Sequence, residues 1–220
     1  ILQHIAVCPS ERDLFVREHL EDCYRAASFI AAYTVLEIPF TTFTSLIFGI
    51  ISAYAIDFKR APAMIFILVL CAFCVVACGE SLGIIFNRFF DHTGFALVLA
   101  CVVLSLGTIM GGIISLNVPP FLQAWNYMNP IKYMIGCMSG FSMRDRTFTC
   151  KSEETIDGKC PIQTGQDVLR LYKLEKRDPI LDMVVLIVRC VAYRLLAFGI
   201  VGTAAWWKKN LEVRSITRKA

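Results

Sequence analysis

Residues 95–116 read FALVLACVVLSLGTIMGGIISL and carry no charge. At 1.5 Å of rise per residue, a helix of this stretch covers about 33 Å, the hydrocarbon thickness of a bilayer. A surface helix of a soluble protein keeps a polar face. This stretch has none, so it is expected to span a membrane. Its small or polar residues are Ser105, Gly107, Thr108, Gly111 and Gly112. Small residues at helical spacing let a second helix approach closely. The span is therefore expected to face protein, or a passage between proteins, rather than lipid alone.

The rest of the chain agrees with that reading. Of its 220 residues 56% are apolar and 18% charged, and the mean hydropathy is +0.60. Such a composition excludes disorder and sets the chain apart from ordinary soluble domains. Before the central stretch, residues 61–86 form a second apolar run with Glu80 near its end, and residues 26–56 a third with Glu37 and Pro39. A carboxylate inside a bilayer is costly, so Glu80 is expected near an edge or paired, and Glu37, lying early, near the headgroups. Pro39 removes a backbone donor and predicts a kink. Asp57, Lys59 and Arg60 make one short polar loop, and residues 87–93 (NRFFDHT) another.

Further upstream, residues 10–25 predict an amphipathic helix. Val16, Leu20, Cys23, Tyr24 and Ala27 fall on one face, and Glu11, Arg12, Asp13, Arg17, Glu18, Glu21 and Asp22 crowd the rest. It suits either the membrane interface or a cytosolic partner. The opening ILQHIAV reads as the tail of an earlier apolar element, and the chain as the C-terminal part of a longer protein. After the central stretch, Pro119, Pro120 and Pro130 oppose one straight span, and Trp125, Tyr127 and Tyr133 are interface residues. Residues 117–179 are read as short re-entrant helices followed by a polar loop, with one short helix in QDVLRLYKLEKRD. Residues 180–207 form the last span, with Asp182 near its start. Arg189 and Arg194 within it must snorkel, pair, or face a polar passage.

Together these define an all-α fold, a polytopic helical membrane bundle with four full spans. Nine basic residues (Arg12, Arg17, Arg25, Arg88, Lys208, Lys209, Arg214, Arg218 and Lys219) fall on one side, against Lys59 and Arg60 on the other. The positive-inside rule then makes both ends cytosolic and residues 117–179 external. Cys150 and Cys160 sit in that external loop, where an oxidising environment favours a disulfide; two free thiols are the other reading. Cys71, Cys74 and Cys78 have i, i+3, i+7 spacing but read as small buried hydrophobes rather than metal ligands.

No G-x-x-x-x-G-K-[ST] loop occurs, so nothing here cradles ATP. There is no HExxH, and His4, His19 and His92 have no metal partner at ligand spacing. No catalytic or metal site is assigned, and no nucleic-acid partner is expected, since the basic residues fall in loops and at the tail. The intramembrane polar groups Glu80, Arg189 and Arg194 and the glycine-bearing span suit a permeation route. A non-transporting scaffold, or a membrane enzyme using Glu80, Asp182, Arg189 and Arg194, are the alternatives. A phosphate loop and an ABC signature upstream of Ile1 would separate them.

Several stretches resemble the G subfamily (white type) of ABC transporters. ERDLFVREHLEDCYRAASFIAAYTVLEIPF is similar to the segment joining that family's second and third membrane helices, through Glu11, Arg12, Phe15, Arg17, Glu18, Tyr24, Glu37 and Pro39. NYMNPIKYMIGCMSGF, with Asn129, Pro130 and Tyr133, resembles the family's motif after the fifth helix. The Cys150–Cys160 loop and YRLLAF with Arg194 complete the match in the family's order. The resemblance implies helices two to six of a six-helix domain. It implies that Glu11, Arg12, Phe15, Arg17 and Glu18 couple to a nucleotide-binding domain. It also implies that Thr108, Ile109, Gly112, Ile113 and Ile114 line the substrate cavity and its upper closure. ATP and Mg would belong to the full-length protein. The implied partners are membrane lipids, the nucleotide-binding domain, a second half-transporter and a hydrophobic or amphipathic substrate, with the plasma membrane as location. The interval KSEETIDGK holds no third cysteine, which speaks against an interchain disulfide there, and no N-x-[ST] sequon occurs.

Overall fold

The computed structural model describes residues 26–55, 62–90, 93–112, 119–144, 146–148 and 162–217. Among the described residues seven helices run in order: α1 (Ala26–Ala55), α2 (Pro62–Phe89), α3 (Thr93–Met110), α4 (Pro120–Met128), α5 (Pro130–Met143), α6 (Gly165–Leu171) and α7 (Pro179–Thr217). Among the described residues, three stretches are long and apolar enough to cross a membrane: Thr34–Ala55, Pro62–Phe89 and Pro179–Thr203. The described residues fall into two compact units, the first of those up to 43, 76–103 and from 190 on, the second of those in 44–75 and 104–189, so the divisions lie inside α1, α2, α3 and α7.

The fold turns its polarity inward. On α1 the buried positions are Glu37, Thr41, Ser45, Gly49 and Ala53, one every four residues and therefore on one stripe. Val35, Leu36, Phe40, Phe43 and Phe48 are exposed, Phe40 at 76%. Water would favour the opposite arrangement; lipid favours this one, because small and polar residues pack helices while tails solvate the apolar ones. On α7, Leu181, Val184, Val188, Val191 and Leu195 form a comparable exposed apolar stripe.

The most enclosed of the three is α2, whose most apolar window is 39% buried, against 22% for α1 and 11% for α7. Where α1 meets α2, a Cβ on Gly49 would lie 2.5 Å from Val69 Cγ2, so the bare glycine permits the approach. Despite Pro39, α1 continues unbroken.

Several boundaries differ from expectation. Within the described residues, the helix of the central stretch does not run on through Gly112. It stops at Met110, leaving a shorter apolar helix of about 27 Å. The stop is local: Gly112 takes φ +103°, a left-handed conformation that suits glycine and turns the chain. Of the small or polar residues expected to face protein, Gly107 and Gly111 are buried and Gly112 half-buried, while Ser105 and Thr108 are exposed; Ala96 and Ala100 of α3 are buried as well. Asn87–Phe89, expected in a loop, extend α2, with Arg88 in its last turn, where a cation suits the helix dipole. The helix expected across 166–178 ends at Leu171. Its end is a Schellman motif: Leu174 N–H donates to Leu169 C=O at 2.7 Å and Lys173 N–H to Arg170 C=O at 3.0 Å, with Lys173 at φ 56°. That position favours glycine, so Lys173→Gly is expected to stabilise this end by up to about 1 kcal/mol, read as slower local amide exchange.

Two short helices stand where the prolines predicted breaks. Pro119–Pro120 opens α4, and Asn129–Pro130 separates α4 from α5. Beyond α5, Phe148 N–H donates to Gln163 C=O at 2.9 Å and Gly165 N–H to Arg146 C=O at 2.8 Å, a short antiparallel stem. Thr164 caps α6 in a capping box with Asp167. The hydrogen bonds of Thr164 to the Asp167 carboxylate hold that carboxyl below its ordinary range.

Candidate functional site

Among the described residues, polar side chains gather inside the apolar helices in two places. In the first unit, Arg194 on α7 donates from an NH2 nitrogen to Glu37 Oε2 on α1 at 2.5 Å, and both side chains are largely buried. One turn along α1, Thr41 donates its hydroxyl to Glu80 Oε1 on α2 at 2.8 Å. Glu80 is only 4% exposed. Glu37 is thus buried and paired within the protein. A lone buried charge is expensive, and a pair with good geometry offsets much of that cost. Arg189 is half-buried, and among the described residues no carboxylate pairs with it.

In the second unit, Asp182 at the start of α7 is 2% exposed and accepts from Arg177 at 2.7 Å. Its other oxygen, Oδ2, has no hydrogen-bond partner among the described residues and lies over Gly136 of α5. Lys132 Nζ sits 4.2 Å from the centroid of the Tyr127 ring, a cation–π contact. Cys71 Sγ lies 3.6 Å from Cys137 Sγ, tying α2 to α5.

The residues expected to line a pathway are partly on view. Thr108 and Ile109 are exposed on α3, Ile109 at 44%. The Thr108 hydroxyl is already engaged, donating to Ser105 C=O at 2.7 Å. Gly112 forms the bend. Ile113 and Ile114 lie outside the described residues, as do Glu11, Arg12, Phe15, Arg17, Glu18, Cys150 and Cys160.

Sequence reasoning named Arg194 and Glu80 without their partners, and missed the Arg177–Asp182 pair. The stripe Glu37, Thr41, Ser45 was a usable signal: polar residues four apart in a greasy helix point one way, toward other helices. Nothing local signalled that Asn129 would reach α3.

Charge drawn inward and apolar side chains turned outward define a polytopic membrane domain. Its kind follows from comparison with known proteins. Residues 1–141 match the family model of the ABC-2 type transporter, and the chain belongs to that family. It is 34% identical over 213 residues to an uncharacterized ABC transporter ATP-binding protein/permease of Saccharomyces cerevisiae, YOL075C, covering 95% of this chain and 16% of that protein. It is 24% identical to ABC transporter G family member 23 of Arabidopsis thaliana, covering 86% of this chain and 30% of that protein. It is also 24% identical to ABC transporter G family member 1 of Dictyostelium discoideum, over 90% of this chain and 26% of that protein. The chain therefore spans less than a third of each of these relatives.

Proposed function

We propose that this chain forms half of a dimeric, ATP-driven export pathway for hydrophobic or amphipathic molecules, with α3 lining the route. The observation that carries this is the exposed face of α3. Val98, Val102, Leu106 and Ile109 are all more than 40% exposed, and no charged residue occurs on α3. With the Thr108 hydroxyl turned to its own helix, this face offers apolar contact and little hydrogen bonding, which suits lipid-, sterol- or drug-like substrates. It leads to the bend at Gly112, just before Ile113 and Ile114, which would form a hydrophobic closure.

No G-x-x-x-x-G-K-[ST] phosphate loop occurs in these 220 residues. ATP and Mg would be held by a nucleotide-binding domain, and residues 10–25 would pass its motion to the spans. The paired stem residues 146–148 and 163–165 bring the two ends of the loop together, which supports a Cys150–Cys160 disulfide on the external side. Both ends are then cytosolic, at the plasma membrane.

The test uses the full-length protein in vesicles with fluorescent lipid and sterol substrates. Ile113→Ala with Ile114→Ala is expected to change export rate or ATPase activity several-fold; unaltered kinetics across several substrates would remove the closure. Reversing Arg17 and Glu18 is expected to cut substrate-stimulated ATPase activity severalfold while substrate binding persists. Normal ATP-driven transport by that variant, at equal surface level, would count against the coupling role. Absence of any ATP-dependent transport by the wild type would favour a scaffold or enzyme instead.

A further inference from the structure

Asn129 touches three helices from one side chain. It is 6% exposed. Its Oδ1 accepts from Ile131 N–H at 3.1 Å, capping α5. Its Nδ2 donates to Asn126 Oδ1 of α4 at 3.3 Å and to the Gly107 carbonyl of α3 at 2.7 Å.

Gly107 lies in the last turn of α3, where carbonyls lose their partners within the helix. Asn129 satisfies that carbonyl from outside. Just beyond, Gly111 N–H donates to Thr108 C=O at 3.3 Å, an i to i−3 bond that tightens the turn, and Gly112 then bends the chain. Ile135 Cδ1 covers Gly111, lying 2.6 Å from where a Cβ would stand. One face of α5 and its cap thus hold both the carbonyl and the glycine that bracket Thr108 and Ile109.

We propose that Asn129 is a positioning residue: it pins the last turn of α3 and so holds Thr108 and Ile109, on the face that lines the proposed export route, in place. The inference rests on that function. The chemistry narrows the residue type. The corner needs an acceptor to cap α5 and an N–H donor to reach α3, and a carboxamide holds both on one short stem. Asp keeps the acceptor and loses the donor, setting an oxygen against the Gly107 carbonyl.

The experiment compares wild-type and Asn129→Asp full-length proteins in vesicles. Amide exchange at Gly111 and the ratio of substrate exported to ATP hydrolysed are both measured. The variant is expected to fold, to keep its ATPase activity, to lose at least tenfold of the protection at Gly111, and to export several-fold less per ATP. A merely structural loss would lower export and ATPase activity together and leave their ratio alone; an unchanged ratio in folded protein overturns the proposal. Should Asn129→Asp fail to fold, Asn129→Ser takes its place, keeping a cap oxygen with too short a reach for Gly107, and the same ratio decides. A wild type that exports nothing sinks the export reading instead. Amide exchange then still decides the pinning, and equal protection in both proteins overturns it.

Discussion

Arg194→Met is expected to cost about 3–5 kcal/mol of stability, because it takes the guanidinium away from the buried Glu37 carboxylate. The loss should appear as a much lower unfolding midpoint in detergent and less monodisperse protein. The double variant Glu37→Met, Arg194→Met removes both charges and leaves two apolar side chains of similar volume. Replacing a buried pair in this way is often neutral or stabilising. The double variant should therefore unfold well above either single one. A double variant no better than Arg194→Met would show that the pair is not the unit the cost comes from. Should the double variant fold yet export poorly, the pair would serve movement rather than stability.

The second large effect is expected at Gly136. A Cβ there would overlap Asp182 Oδ2 and come within 3.0 Å of its Cγ and 3.3 Å of Arg177 Cζ. Gly140, one turn on, faces Pro179, whose Cβ would be 2.8 Å from an added methyl. These two glycines form the small-x-x-x-small surface that lets α5 lie against the start of α7. Gly136→Ala must move α5 or displace Asp182 from Arg177. Overpacking costs about 1–3 kcal/mol, and parting a buried ion pair adds to it. Gly199→Ala is the control: nothing among the described residues lies within 4 Å of its added methyl. That change is expected to be neutral, or to stabilise α7 by about 0.5–1 kcal/mol through helix propensity. The measurement is the thermal midpoint of each variant. Equal midpoints for Gly136→Ala and wild type would mean the α5–α7 contact is looser than described.

The reach of sequence reading can be judged residue by residue. Long uncharged stretches declared themselves as helices in lipid, since no other backbone arrangement of that length satisfies its hydrogen bonds there except a closed barrel. The prolines at 119, 120 and 130 declared the breaks around α4 and α5, because each removes a donor and fixes φ. The end of α3 was misread. Gly111 and Gly112 are as apolar as their neighbours, and composition does not separate a glycine inside a helix from one that ends it. The capping box of α6 was not read from the sequence, although Thr164 and Asp167 stand three apart.

What the amino-acid order determined alone is therefore solvent and class: an all-helical chain for a bilayer, with charge that had to be hidden. Which charges met was decided only in three dimensions. Glu37 and Arg194 are 157 residues apart, Thr41 and Glu80 39, Asn129 and Gly107 22. Local propensity carries no information about such distant partners. They are chosen by which helix faces come together, and in lipid those faces are the small and polar ones whose groups have no other means of being satisfied.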